Sequence, residues 1–174
     1  MMPRTSVTLA RLSDIAPDTI LAHMTDPRIA AHLPLLAGRW DRAAVAAFVA
    51  AKESRWQRDG LGHWAFLRDG DYLGWGGFER EGEEWDFGLV LRPEHFGQGP
   101  RIARQLLRLA RTELGIARVT FLLAPTRRHL RGLERIGAIR IGPVEHAGER
   151  FIKYQLDTGG AGVGPGRLDP RTPA

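Results

Sequence analysis

Between Leu91 and Arg101 the chain reads Leu-Arg-Pro-Glu-His-Phe-Gly-Gln-Gly-Pro-Arg, with glycines at positions 97 and 99. Glycines so spaced let backbone amides turn toward one point, and a helix opening just beyond them adds unpaired amides and the positive end of its dipole. That chemistry suits a phosphate. The Gly-Lys-Ser/Thr ending of a nucleoside triphosphate loop is absent, and the strand before the loop follows a hairpin meander, unlike the first unit of a dinucleotide-binding fold. Positive charge gathers at the same place. Positions 92 to 135 hold ten arginines against Glu94, Glu113 and Glu134, a local +7, whereas the remainder sums to −2 and the whole chain to +5. Such a stretch is either a set of solvated helix faces or a local site for a polyanion.

Other chemistries are closed. With no cysteine the chain can form neither a thiolate zinc site, nor a cysteine nucleophile, nor a redox dithiol. Its six histidines show no metal-ligand spacing, so no metal is expected. Along Glu84 to Leu91, alternation puts Glu84, Asp86, Gly88 and Val90 on one face and Trp85, Phe87, Leu89 and Leu91 on the other. Glu79, Glu81, Glu83, Glu84 and Asp86 are either a solvated hairpin end or the source of a base. His23, His63, Trp64 and Trp75 either line a cleft or pack a core.

These residues need elements to hold them. A chain of 174 residues, 43% apolar and 26% charged, fits one compact domain that can bury a sufficient core without disulfide or metal staples. No stretch approaches a membrane span, and a cytoplasmic protein is expected. Val7 to Arg11 alternates as a strand. A helix follows, opened by Ser13 or Asp14 with Pro17 in its first turn. Asp26-Pro27 restarts a helix, and Asp41 caps a longer one to about Asp59, with Trp40 and Val45 as a hydrophobic staple. Leu33 to Arg39 is an apolar loop that either covers the core or lines a pocket. His63 to Leu67, Asp71 to Arg80 and Glu84 to Leu91 form an antiparallel meander through Asp69-Gly70 and Glu81-Gly82-Glu83. A helix from about Pro100 to Glu113 crosses over to a parallel strand, Ala117 to Leu123. A last helix from about Thr126 to Ile136 and strands near Ala138 to Val144 and Arg150 to Leu156, joined at Ala147-Gly148, complete the order βααβββαβαββ. Residues 1–156 are read as the domain. Residues 157–174, with five Gly and three Pro, are read as a disordered tail.

From Trp85 to Gly142 the chain resembles the central motif of the GNAT acetyltransferases, particularly the branch that acetylates ribosomal-protein N-termini, of RimJ/RimL type. The residues that carry the likeness are Leu91-Arg92-Pro93, Phe96-Gly97-Gln98-Gly99, Pro125 and Leu133-Glu134-Arg135-Ile136-Gly137-Ala138. The resemblance implies an α/β GNAT fold, with a mixed and mostly antiparallel sheet and helices on both faces, over about residues 5 to 156. It also implies acetyl-CoA as cosubstrate, whose phosphates carry about −3.5 to −4 together and suit the cationic segment. By analogy, the amides of Gln98, Gly99, Arg101 and Ile102 hold the diphosphate, and Phe96, Gly97 and Thr126 are also expected to bind the cofactor. The strand end Leu89, Val90 and Leu91 pairs with the pantetheine arm. Arg131 occupies the arginine slot of the last helix and, with Arg104, is expected at a phosphate. Asp86 matches the acidic position of the branch and is the candidate base, with Glu84 as second choice. His129, three residues beyond a helix cap at Thr126, takes the slot of a serine that approaches the sulfur, and could donate a proton there.

This chain departs from the family at Arg101, where a small residue is usual, at Pro100, which removes a donor, and at Thr126 and His129. The reading is an N-acetyltransferase that moves acetyl to a primary amine, a protein N-terminus or a small molecule, by direct attack in a ternary complex. One rival is a non-catalytic acyl-CoA-binding module of the same fold. A second is a basic nucleic-acid binder, whose retention on DNA or RNA would fall steeply with salt and resist displacement by CoA; nucleic acid is not the expected partner. A monomer or a homodimer, and no membrane partner, are expected.

Overall fold

The computed structural model describes residues 6–31, 33–36, 38–127 and 130–160. A seven-stranded sheet organises them. Its strands are β1 (Thr8–Ala10), β2 (His63–Arg68), β3 (Asp71–Glu81), β4 (Glu84–Leu91), β5 (Arg118–Leu123), β6 (Ile139–His146) and β7 (Glu149–Asp157). They lie in the order β1-β2-β3-β4-β5-β7-β6, antiparallel throughout except for the β4–β5 pair. The helices are α1 (Pro17–Met24), α2 (Pro27–Ala30), α3 (Arg42–Asp59), α4 (Gly99–Thr112) and α5 (Arg131–Arg135).

Alternation in the strands feeds two cores, one on each face of the sheet. On one face Ile20 and Met24 of α1 and Val45 and Phe48 of α3 pack over Ala65, Tyr72 and Trp75. On the other, Ile102, Leu106 and Leu109 of α4 cover Phe66, Phe78, Phe87 and Leu91. The expected split of β4 is visible here: Phe87 and Leu91 belong to the α4 side, whereas Val90 packs toward α1 and α3. Gln105 of α4 clamps the Val7 backbone from both sides, accepting from its N–H at 2.9 Å and donating to its carbonyl at 2.8 Å. The centre of the sheet is tight. A β-carbon at Gly76 (φ 158°) would stand 2.2 Å from the Gly88 carbonyl oxygen, so glycine lets β3 and β4 meet there.

Most boundaries follow from local chemistry. Asp41 accepts from the Ala44 N–H at 2.8 Å to start α3, and Gly60 ends it in the left-handed conformation at φ 72°. Asp26 caps α2 through the Arg28 N–H. Two boundaries need correction. The first helix does not open at Ser13 or Asp14: Leu12–Asp14 is a single 3-10 turn, and α1 begins at Pro17 with no side-chain cap. Nor does a helix run from Thr126: the Arg127 N–H closes a turn onto the Ala124 carbonyl at 3.0 Å, and α5 is only Arg131–Arg135. A helix through both segments would have stacked Arg127, Arg131 and Arg135 at four-residue spacing, where like charges repel. Of the tail expected from residue 157, Asp157 ends β7 and the Thr158 N–H donates to the Ala117 carbonyl at 2.9 Å, so order reaches past that boundary; beyond residue 160 the expectation lies outside the described residues.

Candidate active site

The sheet opens at its centre. β4 and β5 are in register only at Trp85–Val119 and Asp86–Thr120, whereas β4 stays paired to β3 as far as Leu91–Gly74. From Phe87 to Leu91 the β4 edge toward β5 therefore carries no ladder, and its main-chain groups can pair with an extended ligand. Leu89 and Val90 are half-buried along this opening and Leu91 is buried.

The phosphate-type loop stands at its mouth. Pro93–Gln98 winds as a 3-10 helix directly into α4, and neither Gly97 nor Gly99 takes a positive φ. The Gly99 N–H is bonded to the Phe96 carbonyl, Pro100 has no N–H, and Ile102, four residues past the N-cap, enters the helical ladder. The part of the expected amide cradle that falls on Gly99 is thus corrected, since its N–H is taken within the loop, whereas Arg101 lies in the first turn, where an amide has no intrahelical partner. Small side chains still matter, because a β-carbon on Gly99 would touch the methyls of Leu89 and Leu91 at 3.8 Å, while Gly97 faces open space. Phe96 is exposed.

Side-chain cations compensate. The Gln98 side-chain carbonyl accepts a hydrogen bond from Arg68 at the end of β2. The other two nitrogens of that guanidinium, Nε and Nη2, are buried with no hydrogen-bond partner. Arg101 and Arg104 are exposed, and among the described arginines from 92 to 135 only Arg92 makes an ion pair, with Glu94. The local positive charge is largely unneutralised.

Across the sheet lies a set of buried polar groups. Asp86, on the last rung before the opening, accepts a hydrogen bond from the Thr120 hydroxyl at 3.2 Å. Burial pushes its carboxyl up to about 7, against the Thr120 hydrogen bond, with the acidic neighbours Glu81 and Glu79 adding to the rise. Glu79 faces Asp86 across the β3–β4 ladder, and both its carboxylate oxygens are 2.9 Å from Lys52 Nζ of α3. His63 packs against Trp75 with ring centroids 5.3 Å apart. Its Nδ1 is 3.6 Å from Glu79, too far for a hydrogen bond, and neither ring nitrogen has a partner. Burial first, then the Lys52 and Arg55 cations, hold the imidazole well below its ordinary value, so it is neutral at pH 7. Glu84 sits at the far end of β4, exposed and paired with Lys153.

A cleft of about 570 Å³ runs between the Pro34–Leu36 turn and α3 and reaches Glu79. The Leu33 to Arg39 loop therefore does both things expected of it: Leu33 and Leu36 pack against the core, and Pro34, Leu35 and Leu36 line the cleft. Lys52 carried no signal in the sequence, whereas Glu79 belonged to the acids read as a hairpin end or the source of a base and His63 to the group read as lining a cleft or packing a core. Only the strand register, which puts His63 opposite Gly77 and Gly77 opposite Gly88, makes them neighbours of Asp86. Thr126 is exposed in a turn and caps no helix, Arg131 is exposed at the start of the short α5, and His129 lies outside the described residues. Among the described residues no group of three or more potential ligands could hold a metal ion, and no helix is long and apolar enough to cross a membrane.

Comparison with known proteins agrees with this architecture. The family model described as the acetyltransferase (GNAT) domain matches residues 6–147. No curated protein sequence is matched. Among solved structures, an acetyltransferase from Agrobacterium tumefaciens str. C58 is similar at TM-score 0.65 and 20% identity, over 86% of this chain and 90% of that one. A GNAT-family acetyltransferase from Bacillus anthracis is similar at TM-score 0.67 and 16% identity, over 87% and 93%. AAC(6')-Ib in complex with paromomycin and acetyl-CoA gives TM-score 0.67 and 16% identity, again over 87% and 93%. At such identities the likeness is one of fold.

Proposed function

The chain belongs to the acetyltransferase (GNAT) domain family, and from that premise we propose that it is an acetyl-CoA-dependent N-acetyltransferase with Asp86 as the base that takes the proton of a primary amine. The observation that carries the reading is the juxtaposition of an unpaired strand edge, Phe87 to Leu91, with a carboxyl group whose affinity for protons is raised to about 7 at the last rung before it. A group poised near neutrality can accept a proton at pH 7 and release it to water afterwards.

Acetyl-CoA fits the residues present. The open β4 edge suits the two amides of a pantetheine arm. The Arg68 nitrogens left unpartnered beside Gln98, with exposed Arg101 and Arg104, suit its phosphates. In the reaction the amine nitrogen attacks the thioester carbonyl carbon, a C–N bond forms and the C–S bond breaks. The ammonium proton passes to Asp86, and the departing thiolate takes a proton to give free CoA and the acetylated amine. His129 is proposed, from the sequence alone, as the donor to sulfur. With no cysteine in the chain, acetyl passes directly from CoA to amine without a cysteine acyl-enzyme.

The shortened amide cradle favours a second reading, a domain of this fold that binds acyl-CoA without turnover. One experiment separates the two: release of free thiol from acetyl-CoA across a panel of primary amines, with Asp86→Asn alongside. Amine-dependent release that falls about a hundredfold or more in Asp86→Asn supports the transferase. CoA binding with no amine-dependent release, or full activity in Asp86→Asn, overturns the assignment.

A further inference from the structure

Building on that transfer reaction, we propose that the cleft that reaches Glu79, the cross-strand neighbour of Asp86, selects an amine carried on an apolar, ring-sized body with no second positive charge. Its walls are apolar. Leu35, 45% exposed, and Leu36 stand on one side with Trp40, whose indole N–H donates to the Leu36 carbonyl at 3.1 Å and fixes that wall. On the other side α3 presents Ala44, Ala47 and Ala51, spaced to share one helical face, so that small side chains leave the depth of the cleft open. Phe48 closes the floor, edge-on to Trp40 at 5.5 Å and to Trp75 at 5.2 Å. The volume of about 570 Å³ accommodates a substituted ring.

The charges in the lining point the same way. Three cations, Arg39, Lys52 and Arg55, face one acid, Glu79. That acid is already satisfied, with Lys52 Nζ at 2.9 Å from both oxygens. Arg55 is held by Glu81 at 2.9 Å, and Arg39 has no ion pair among the described residues. The carboxyl left for an incoming ammonium is Asp86, across the ladder from Glu79. A polyamine would set its remaining ammoniums against Arg39 and Arg55 with no free carboxylate to receive them, a repulsion that acts as selection against it. The paromomycin held by AAC(6')-Ib is therefore the wrong kind of acceptor for this cleft.

The test compares 2-phenylethylamine with paromomycin. Thiol release from acetyl-CoA gives kcat/KM for each, and saturation-transfer NMR of the ring protons of 2-phenylethylamine, with CoA present, reports occupancy of the cleft without turnover. The parent should prefer 2-phenylethylamine by about tenfold or more, and Ala47→Glu, on an exposed helical position, should reduce that preference by about tenfold. Arg39→Glu, on the opposite wall and exposed, should do the same and serves if the first variant does not fold. Equal or better acetylation of paromomycin overturns the selectivity and leaves the transferase reading standing. If neither amine is acetylated, ring saturation that excess paromomycin displaces in both variants but not in the parent supports the cleft while removing the transferase reading, and its absence overturns both.

Discussion

The imidazole of His63 lies across Gly88, its Cε1 and Nε2 each 3.1 Å from the point where a β-carbon on that glycine would stand. Gly88 is two residues past Asp86 on the same face of β4, just beyond the last rung to β5. Nε2 stands beside Gly88, Nδ1 is turned toward Glu79, and neither has a hydrogen-bond partner. Gly88→Ala should push the ring off this position, against Trp75 and the Lys52–Glu79 pair. Overpacking of this size costs about 1–3 kcal/mol, read as a lower denaturation midpoint, and kcat should fall further than the stability loss explains. A variant with parental kcat would remove His63 from the reacting centre.

Asp86 makes the pH dependence specific. With its carboxyl pushed up to about 7, the basic form grows as pH rises, so kcat/KM should climb through a limb centred near pH 7 that is missing from the residual activity of Asp86→Asn. Stability moves the other way. A carboxyl whose folded-state affinity for protons exceeds its unfolded one, with an ordinary value of 3.8, destabilises the fold as pH rises from about 4 to 7, because the folded state binds more protons in that window. Asp86→Asn should therefore be more stable than the parent at pH 8, by roughly 2–4 kcal/mol, with the difference vanishing toward pH 4. Urea titrations at the two pH values measure it. An equal gap at both would show that Asp86 ionises normally.

The order of strands and helices was legible because each element carries its own signal: an Asp ahead of α3, turn glycines in the meander, alternation along β4. The loop from Leu91 to Arg101 was legible as a place but not as a geometry. Its glycines announced free amides, yet Pro93 and Pro100 favour helical turns, and the chain winds through the loop as a 3-10 helix that consumes the Gly99 N–H. The segment after Pro125 misled because arginines have good helix propensity and their mutual repulsion is not a local pattern. Arg68 and Lys52 gave no signal, and Glu79 and His63 were candidates whose place beside Asp86 the sequence left open, since what brings all four there is strand register and the pairing of β2 and α3 with distant elements.

The Lys52–Glu79 pair is buried, with side chains 15% and 11% exposed, and its parts are unequal to its whole. Burial lowers the proton affinity of Lys52 even with Glu79 against it. Lys52→Met alone leaves a carboxylate buried without its cation and should cost about 3–5 kcal/mol. Lys52→Met with Glu79→Gln removes both charges and should recover most of that loss. A double-mutant cycle by chemical denaturation checks it: additive losses would mean that the two groups do not interact. Glu79→Gln alone, with Lys52 kept, should also bring Asp86 down from 7, since Glu79 is one of the acids that raise it, shifting the kcat/KM limb to lower pH.

Arg68 separates binding from folding. One of its nitrogens bonds the Gln98 side chain, and Nε and Nη2 are buried without partners, an arrangement that burdens the free protein. Arg68→Met keeps a similar length and removes the unsatisfied donors, so the melting temperature should hold or rise. If those donors receive a phosphate of the cosubstrate, the same substitution should weaken CoA binding by about tenfold or more and flatten its dependence on ionic strength, because one charged contact is lost. Calorimetric titration of CoA at two salt concentrations, beside a thermal melt, reads both effects. Unchanged affinity in a stabilised variant would mean that Arg68 merely braces the loop through Gln98, and would return the task of holding the phosphates to Arg101 and Arg104 on the exposed face of α4.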